Sequence, residues 1–415
     1  MDPQQLAAAA LAIGDPLTAL THVALQDDAR SLALRGIALA QIGDLPRAKL
    51  LLARAEREFA AQQGLERARC VTALAEVALA TRDLEIPLGT LRGALRALEA
   101  HGDLHNAQHA RVLLTRSLMV SGQLAQAEHM LGEVQLLRAP LPLVARAELL
   151  RAELALRRLE MPRARRALAR AQQAAERAAI PGLAGALTRF GEALEAPAAR
   201  LIRSGEVTTL RLEDVARVLG QQGQANWLVD CCQRVLRRGA RGDGRVEFVR
   251  KPVLFSLLRA LAEAWPNGVP RDGLIQRGFG ATHVNASHRA RLRVELGRLR
   301  KQLGDDADVC ADTLGYRLEP PAGVRVSVLV PPFDGEDAAL VALLADGAAW
   351  SSSALALALG ASQRTLQRLL SALQARGVVS AAGQGRARRW CAAPLTTLGP
   401  QVYGLFSYGA GRHAP

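Results

Sequence analysis

The chain has 415 residues, a formal net charge of +14, and 49% hydrophobic, 22% charged and only 3% aromatic residues. That length predicts two or three domains, and the apolar content excludes a disordered chain. The cationic excess points to a polyanionic partner, and the shortage of aromatic rings argues against the base-stacking surfaces that bind single strands or unpaired RNA bases, so duplex DNA leads.

No run approaches the roughly 20 apolar residues of a bilayer span, so no membrane role is expected. Met1-Asp2-Pro3-Gln4-Gln5 lacks the cationic start of a secretory signal, and Gly14-Asp15-Pro16 interrupts the apolar stretch from Ala7 to Leu17, so a cytoplasmic location is expected. The cysteines, Cys70, Cys231, Cys232, Cys310 and Cys391, are odd in number and form no CxxC pair, which argues against a disulfide framework or a zinc ribbon. Cys231-Cys232 reads as two small residues in a strand, with a redox pair as the alternative.

Residues 1–198 are rich in Ala, Leu, Arg and Glu, which favour helix. Their breaks recur: Gly14-Asp15-Pro16 resembles Gly43-Asp44-Leu45-Pro46, and related turns follow at Arg82-Asp83-Leu84, Gly122-Gln123-Leu124 and Glu160-Met161-Pro162. A spacing of roughly 30 to 40 residues fits two-helix repeats. In the unit from Ser31 to Phe59, Ala33, Gly36 and Ala40 allow close helix approach. Gly43 ends the first helix, Asp44 caps the second, and Leu50, Leu51 and Ala55 form its inner stripe. This segment resembles the tetratricopeptide family, with Leu at most of the usual aromatic positions. The resemblance implies a concave face for a protein or peptide partner, or for self-association as a homodimer.

Residues 199–224 read as a linker. Trp227 to Val249 carries short alternating runs around Gly and Asp, a small antiparallel sheet. Helices follow from Pro252 to about Trp265 and from Arg271 to Arg277. The next helix, Ser287 to Leu303, places Leu292, Leu296, Leu299 and Leu303 on one stripe, with Arg289, Arg291, Arg293, Arg298, Arg300 and Lys301 around the rest. Arginine's planar fork suits both phosphates and guanine edges. Val309 to Leu318 then reads as two strands around a turn. The run Arg298-Leu299-Arg300-Lys301-Gln302-Leu303 followed by Thr313-Leu314-Gly315-Tyr316-Arg317-Leu318 resembles the end of the DNA-binding domain of OmpR/PhoB-type response regulators. Over residues 225–322 that resemblance implies a winged helix. Arg298, Arg300 and Lys301 would lie in or beside the DNA groove, with Thr313 and Arg317 on or beside the wing. Gly297 stands where the family often has a polar residue, and helical repeats occupy the place of its receiver domain.

After a second linker at 323–334, residues 335–393 read as another winged helix-turn-helix. Helices are expected at Ala338 to Leu344, Ser352 to Leu359 and Gln363 to Arg376, the last capped by Ser362 after a Gly360-Ala361 turn. Gln363, Arg364, Thr365, Gln367 and Arg368 are its candidate base-reading residues. Arg386, Arg388 and Arg389 are candidate phosphate contacts in a strand pair resembling the wing of bacterial winged-helix repressors. Residues 394–415 are expected to form a flexible tail.

No phosphate loop, HExxH, GxSxG or calcium loop occurs, and neither His283 with His288 nor Asp305, Asp306 and Asp308 completes a catalytic or metal site, so neither an enzyme nor a cofactor is expected. The fold class expected is mainly α: a helical-repeat array followed by two winged-helix (α+β) domains. The function expected is DNA-binding transcriptional regulation with the array as input, and the rival is an interaction scaffold whose winged helices bind protein.

Overall fold

The computed structural model describes residues 2–393 except 60–62, 82–87, 138, 179–180, 221–225, 239–243, 282, 305–306, 333–334, 346–348, 360, 383–384 and 386–387. The chain is mainly helical with a few small sheets. Ten helices pack first as five consecutive hairpins: α1 (Pro3–Ala12) with α2 (Pro16–Val23), α3 (Ala29–Ile42) with α4 (Leu45–Glu58), α5 (Gly64–Ala80) with α6 (Leu88–Ala100), α7 (Leu104–Val120) with α8 (Leu124–Gly132), and α9 (Leu141–Arg157) with α10 (Met161–Ala178). A further helix, α11 (Pro181–Glu195), closes the series against α9 and α10.

The turns follow from local chemistry. Gly43 adopts φ +100°, open to glycine without a Cβ penalty, and Asp44 accepts from the Arg47 amide to cap α4. The same pair recurs at Gly14-Asp15 and at Gly102-Asp103, where Asp103 caps α7. Gly36 meets α4 so closely that a Cβ there would lie 2.7 Å from Leu52 Cγ, as the run of small residues predicts. The inner stripe of α4 differs from expectation. Leu50 is 70% exposed, whereas Ala48, Leu52 and Ala55 are buried, because helical phase and not mere apolarity selects the facing residues. The turn expected at Arg82-Asp83-Leu84 lies outside the described residues.

The odd-numbered helices also touch one another in succession, α1 to α3, α5, α7 and α9, and so form an inner row. Buried ion pairs link this row. Arg69 bonds Asp103 at 2.7 Å, and Glu76 accepts from Arg146 at 2.6 Å and lies 2.8 Å from His109. Farther along α9, Arg157 meets Glu153 at 3.0 Å.

The stretch 199–224, expected to be a linker, is structured through residue 220. It contains most of β1 (Pro197–Arg203), then β2 (Glu206–Arg211) and α12 (Leu212–Gly220). The second expected linker contains β9 (Arg325–Val330). With β3 (Asn226–Asp230), β4 (Val235–Arg238) and β5 (Arg245–Glu247) these strands form one sheet in the order β2-β1-β9-β3-β4-β5, in which β9 runs parallel to β3 and antiparallel to β1. Strand alternation builds two cores. Trp227, Val229, Val326 and Val328 face the helices that follow, while Leu228 and Leu329 join Leu201 and Val215 on the opposite face. Cys231 and Cys232 occupy the turn after β3, not a strand, since Asp230 Oδ1 accepts from the Cys232 and Gln233 amides and bends the chain there. Burial pushes the Cys231 thiol up to about 12 and raises that of Cys232 too, so the thiolate needed by a redox pair is disfavoured.

Between β5 and β9 lie α13 (Pro252–Ala264), β6 (Val269–Pro270), α14 (Arg271–Phe279), α15 (Ala286–Leu303), β7 (Asp308–Ala311) and β8 (Gly315–Glu319), with a second sheet of order β6-β8-β7. A last group holds α16 (Glu336–Leu344), α17 (Ser352–Leu359) and α18 (Gln363–Ala375) with the hairpin of β10 (Val379–Ala382) and β11 (Arg389–Ala392) around its own core. No described helix is long and apolar enough to cross a membrane. The tail from 394 lies outside the described residues.

Candidate nucleic-acid interface

Helix α15 begins at Asn285, whose side chain accepts from the His288 amide at 2.9 Å. Leu292, Leu296, Leu299 and Leu303 are all buried against α13 and α14, as their spacing predicts. At 100° per residue, the line opposite that stripe carries Ala290, Val294, Gly297 and Lys301, flanked by Arg291 and Arg298. All six are exposed, Val294 to 55%. The outward surface is thus a low ridge of small residues beside cations, a form that can approach a flat or grooved anionic surface closely.

The cations differ in how they are held. Arg291 stacks its guanidinium 4.5 Å from the Phe279 ring centroid, which is itself stacked on His288. Arg298 is braced by Glu295 at 2.9 Å, and Arg289 lies 3.7 Å from Asp272. Arg293 and Lys301 are exposed and make no ion pair with a described residue. Arg300 is turned sideways: its Nε donates to Asp308 Oδ1 and to the Val309 carbonyl, each at 3.0 Å, and so ties α15 to β7. It positions the hairpin, which its place in the basic run does not reveal.

The β7–β8 hairpin is shaped by Asp312, whose Oδ1 accepts from the Leu314 and Gly315 amides. Gly315 is required where β8 meets β6, because a Cβ there would lie 2.0 Å from the Val269 carbonyl oxygen. Thr313 and Leu314 stand exposed at the tip. Arg317 is exposed but engaged within its strand, its Nε 2.8 Å from Glu319 Oε1, and that bond raises the guanidinium value. Cys310 donates to Glu319 Oε2 at 3.0 Å, which lifts its thiol to about 11 and, ahead of Arg317, pulls the Glu319 carboxyl down. The hairpin carries Asp308, Asp312 and Glu319 against Arg317, so it stays net negative even with Arg300 paired to Asp308, and the open positive charge lies on α15.

A groove of about 580 Å³ runs between the start of α13 and α15, with Lys251, Arg298 and Lys301 around it and Glu295 as its carboxylate. Lys251 donates to Gln302 across the groove. Sequence reasoning missed Lys251, whose only signal is its place just before Pro252 at a helix start.

In the last unit Ser362 caps α18 as expected, accepting from the Thr365 amide at 3.1 Å, with Leu366, Leu370 and Leu373 buried. Gln363, Arg364, Gln367 and Arg368 are exposed together on its outer side. Thr365 is not with them: half-buried, its hydroxyl lies 2.9 Å from that of Ser362 and serves the cap. On the hairpin, Arg388 covers the Trp390 ring at 4.4 Å and donates to Gln374 at 3.3 Å, while Arg389 is exposed. Arg386 and Gly360 lie outside the described residues. Trp390 is buried in its own unit and bonds Ser352 through Nε1. Its neighbour Cys391 is 1% exposed: its Sγ lies 3.3 Å from the Ser380 hydroxyl within the unit and also meets the Val120 carbonyl at the end of α7, at 2.7 Å.

Comparison with protein-family models, with curated proteins and with solved structures finds no match to this chain.

Proposed function

We infer that the chain is a DNA-binding transcriptional regulator in which α15 enters the major groove of duplex DNA and the β7–β8 hairpin flanks it as the wing of an OmpR/PhoB-type winged helix. The observation that carries this reading is the outward face of α15. Arg291 and Arg298 lie along one side of a line of Ala290, Val294, Gly297 and Lys301, on a helix held from behind by four buried leucines. A helix of this shape presents base-reading guanidinium groups without bulk between them and the groove floor. Lys251 and Lys301 beside the α13–α15 groove suit phosphate contacts. The helical hairpins upstream act as a tetratricopeptide-like array that receives a protein or peptide partner.

A selected-site profile tests this. Arg298→Ala should relax preference at one base pair by about 1–3 kcal/mol, and Lys301→Ala should weaken all sequences alike. A profile and affinity unchanged in both variants would contradict the assignment.

For the last unit two readings compete on specific observations. The exposed Gln363, Arg364, Gln367 and Arg368 favour a second DNA contact, whereas the buried Cys391–Val120 contact favours docking of this unit on the array. An altered site profile in Arg364→Ala with Gln367→Ala supports the first, and an unaltered one supports the second.

A further inference from the structure

We propose that the turn between α9 and α10 is a mechanical latch that couples the helical array to the six-stranded sheet, with Leu159 as its positioning residue. Among the described residues, four other turns of the array close with one shared backbone bond. The Asp15, Asp44, Asp103 and Gln123 amides donate to the carbonyls of Ala10, Leu39, Leu98 and Leu118 at 2.8 to 2.9 Å. Just before each donor stands a glycine in the left-handed region, Gly14 at φ +80°, Gly43 at +100°, Gly102 at +70° and Gly122 at +72°. The α9–α10 turn makes the same bond, Glu160 to Ala155 at 2.9 Å, but its left-handed position holds Leu159 at φ +57°. That backbone is costly for a residue with a side chain, and the other four turns show that the bond alone calls for glycine.

The leucine side chain supplies a contact that glycine cannot make. Leu159 packs against the core of Leu201, Leu210, Leu228 and Leu329 on one face of the sheet, which Val215 of α12 completes. The insertion is reciprocal, because Leu212 and Ala216 of α12 pack against the array core that holds Leu149, Leu168 and Phe190. Around this interlock, Arg165 of α10 meets Glu195 at 3.0 Å and Glu213 at 3.1 Å, and Arg211 meets Glu195 at 2.9 Å. These pairs are exposed, so they orient the joint more than they hold it, and the apolar insertion carries the coupling.

Strand alternation passes the contact through the sheet. On β3 and β9, Leu228 and Leu329 belong to the core that Leu159 covers, while Val229 and Val328, one residue away, belong to the core of α13 and α15. Packed interfaces switch between discrete arrangements instead of bending continuously. The array therefore moves at this turn only by carrying the sheet with it or by breaking the interlock. The consequence for DNA rests on the function inferred above; the latch itself does not.

The test is hydrogen exchange in β1 and β9 of the full-length protein, in a double-mutant cycle between Leu159→Ala and Leu149→Ala, the latter a cavity in the array's own core. The expected result is exchange at least tenfold faster in both strands for each single variant, and no faster in the double variant than in the more affected single one, because a broken latch no longer transmits. Effects that multiply, or exchange in these strands unaltered by either substitution, overturn the proposal. Leu149→Val, a smaller cavity, takes the place of Leu149→Ala if that chain does not fold, with the same pattern expected. Leu159→Gly separates the latch from the turn: it relieves the backbone, yet exchange in β1 and β9 should still speed up, and slower exchange overturns the proposal. No DNA is present, so failure here is distinct from failure of the DNA-binding assignment.

Discussion

Gly297 offers a substitution that separates stability from recognition. It lies within α15, exposed, and a Cβ there would meet nothing within 4 Å. Glycine inside a helix is less favourable than glutamate by about 0.6 kcal/mol. A glutamate at 297 would also stand four residues before Lys301, the better orientation for a helical ion pair, worth about 0.3–0.5 kcal/mol. Gly297→Glu should therefore stabilise the folded chain by about 1 kcal/mol. On the same face it places a carboxylate where the assignment puts the DNA. Repulsion by phosphates and base acceptors should cost at least about 1.4 kcal/mol of binding, a tenfold loss. Urea denaturation gives the first quantity and fluorescence anisotropy with a labelled duplex gives the second. A variant that is more stable yet binds with wild-type affinity would refute the placement of α15 in the groove, and misfolding could not be blamed.

The array supports three further predictions. Gly36→Ala gains about 1 kcal/mol of helix propensity but drives a methyl against Leu52 Cγ at 2.7 Å and the Ala48 carbonyl at 3.3 Å, an overpacking of about 1–3 kcal/mol, so hydrogen exchange in α3 and α4 should speed up. Gly93→Ala in α6, with nothing within 4 Å, should slow exchange instead, and equal effects of the two would contradict the packing described. Glu76→Ala removes the buried carboxylate that serves buried Arg146 and half-buried His109 and should destabilise by about 3–5 kcal/mol in thermal unfolding, whereas loss of an exposed pair such as Arg54–Glu58 should cost under about 1 kcal/mol. His105 is held below its ordinary value of 6.5 by burial first and by His109 second, with Asp103 opposing. A depressed histidine contributes stability above 6.5 that is lost as pH falls toward its folded value. The unfolding midpoint of the wild type should therefore drop more steeply below pH 6.5 than that of His105→Gln, and parallel curves would contradict this.

What the sequence made legible was local. The leucine stripe of α15, the caps at Asp44 and Ser362, the Gly36 approach and the β7–β8 hairpin all follow from spacing and residue type within a few turns of chain. What it hid was set by partners far away. β9 carries an evident Val-rich alternation, yet its place between β1 and β3 depends on chain more than 90 residues upstream. β1 carries Ala198, Ala199, Leu201 and Ile202 but follows directly on the helical array, and β2 offers only Val207 and Leu210, so both gain their strand identity from pairing. Leu50 and Leu52 are chemically alike, and only the phase of α4 against α3 buries one and exposes the other. Arg300 and Arg298 sit in one basic run, but Asp308 and the Val309 carbonyl capture the first while the second stays on the outer face. Thr365 belongs to a cap for the same reason, because a serine three residues earlier claims its hydroxyl.

The most direct test of the central claim is binding of the full-length protein to duplex DNA across a salt series. With about five phosphates contacted, the account predicts that log affinity falls against log salt with a slope near −4.5. It also predicts that Lys301→Ala with Lys251→Ala reduces the steepness by about 1.8. A salt-independent affinity, or a slope untouched by that pair of substitutions, would contradict it.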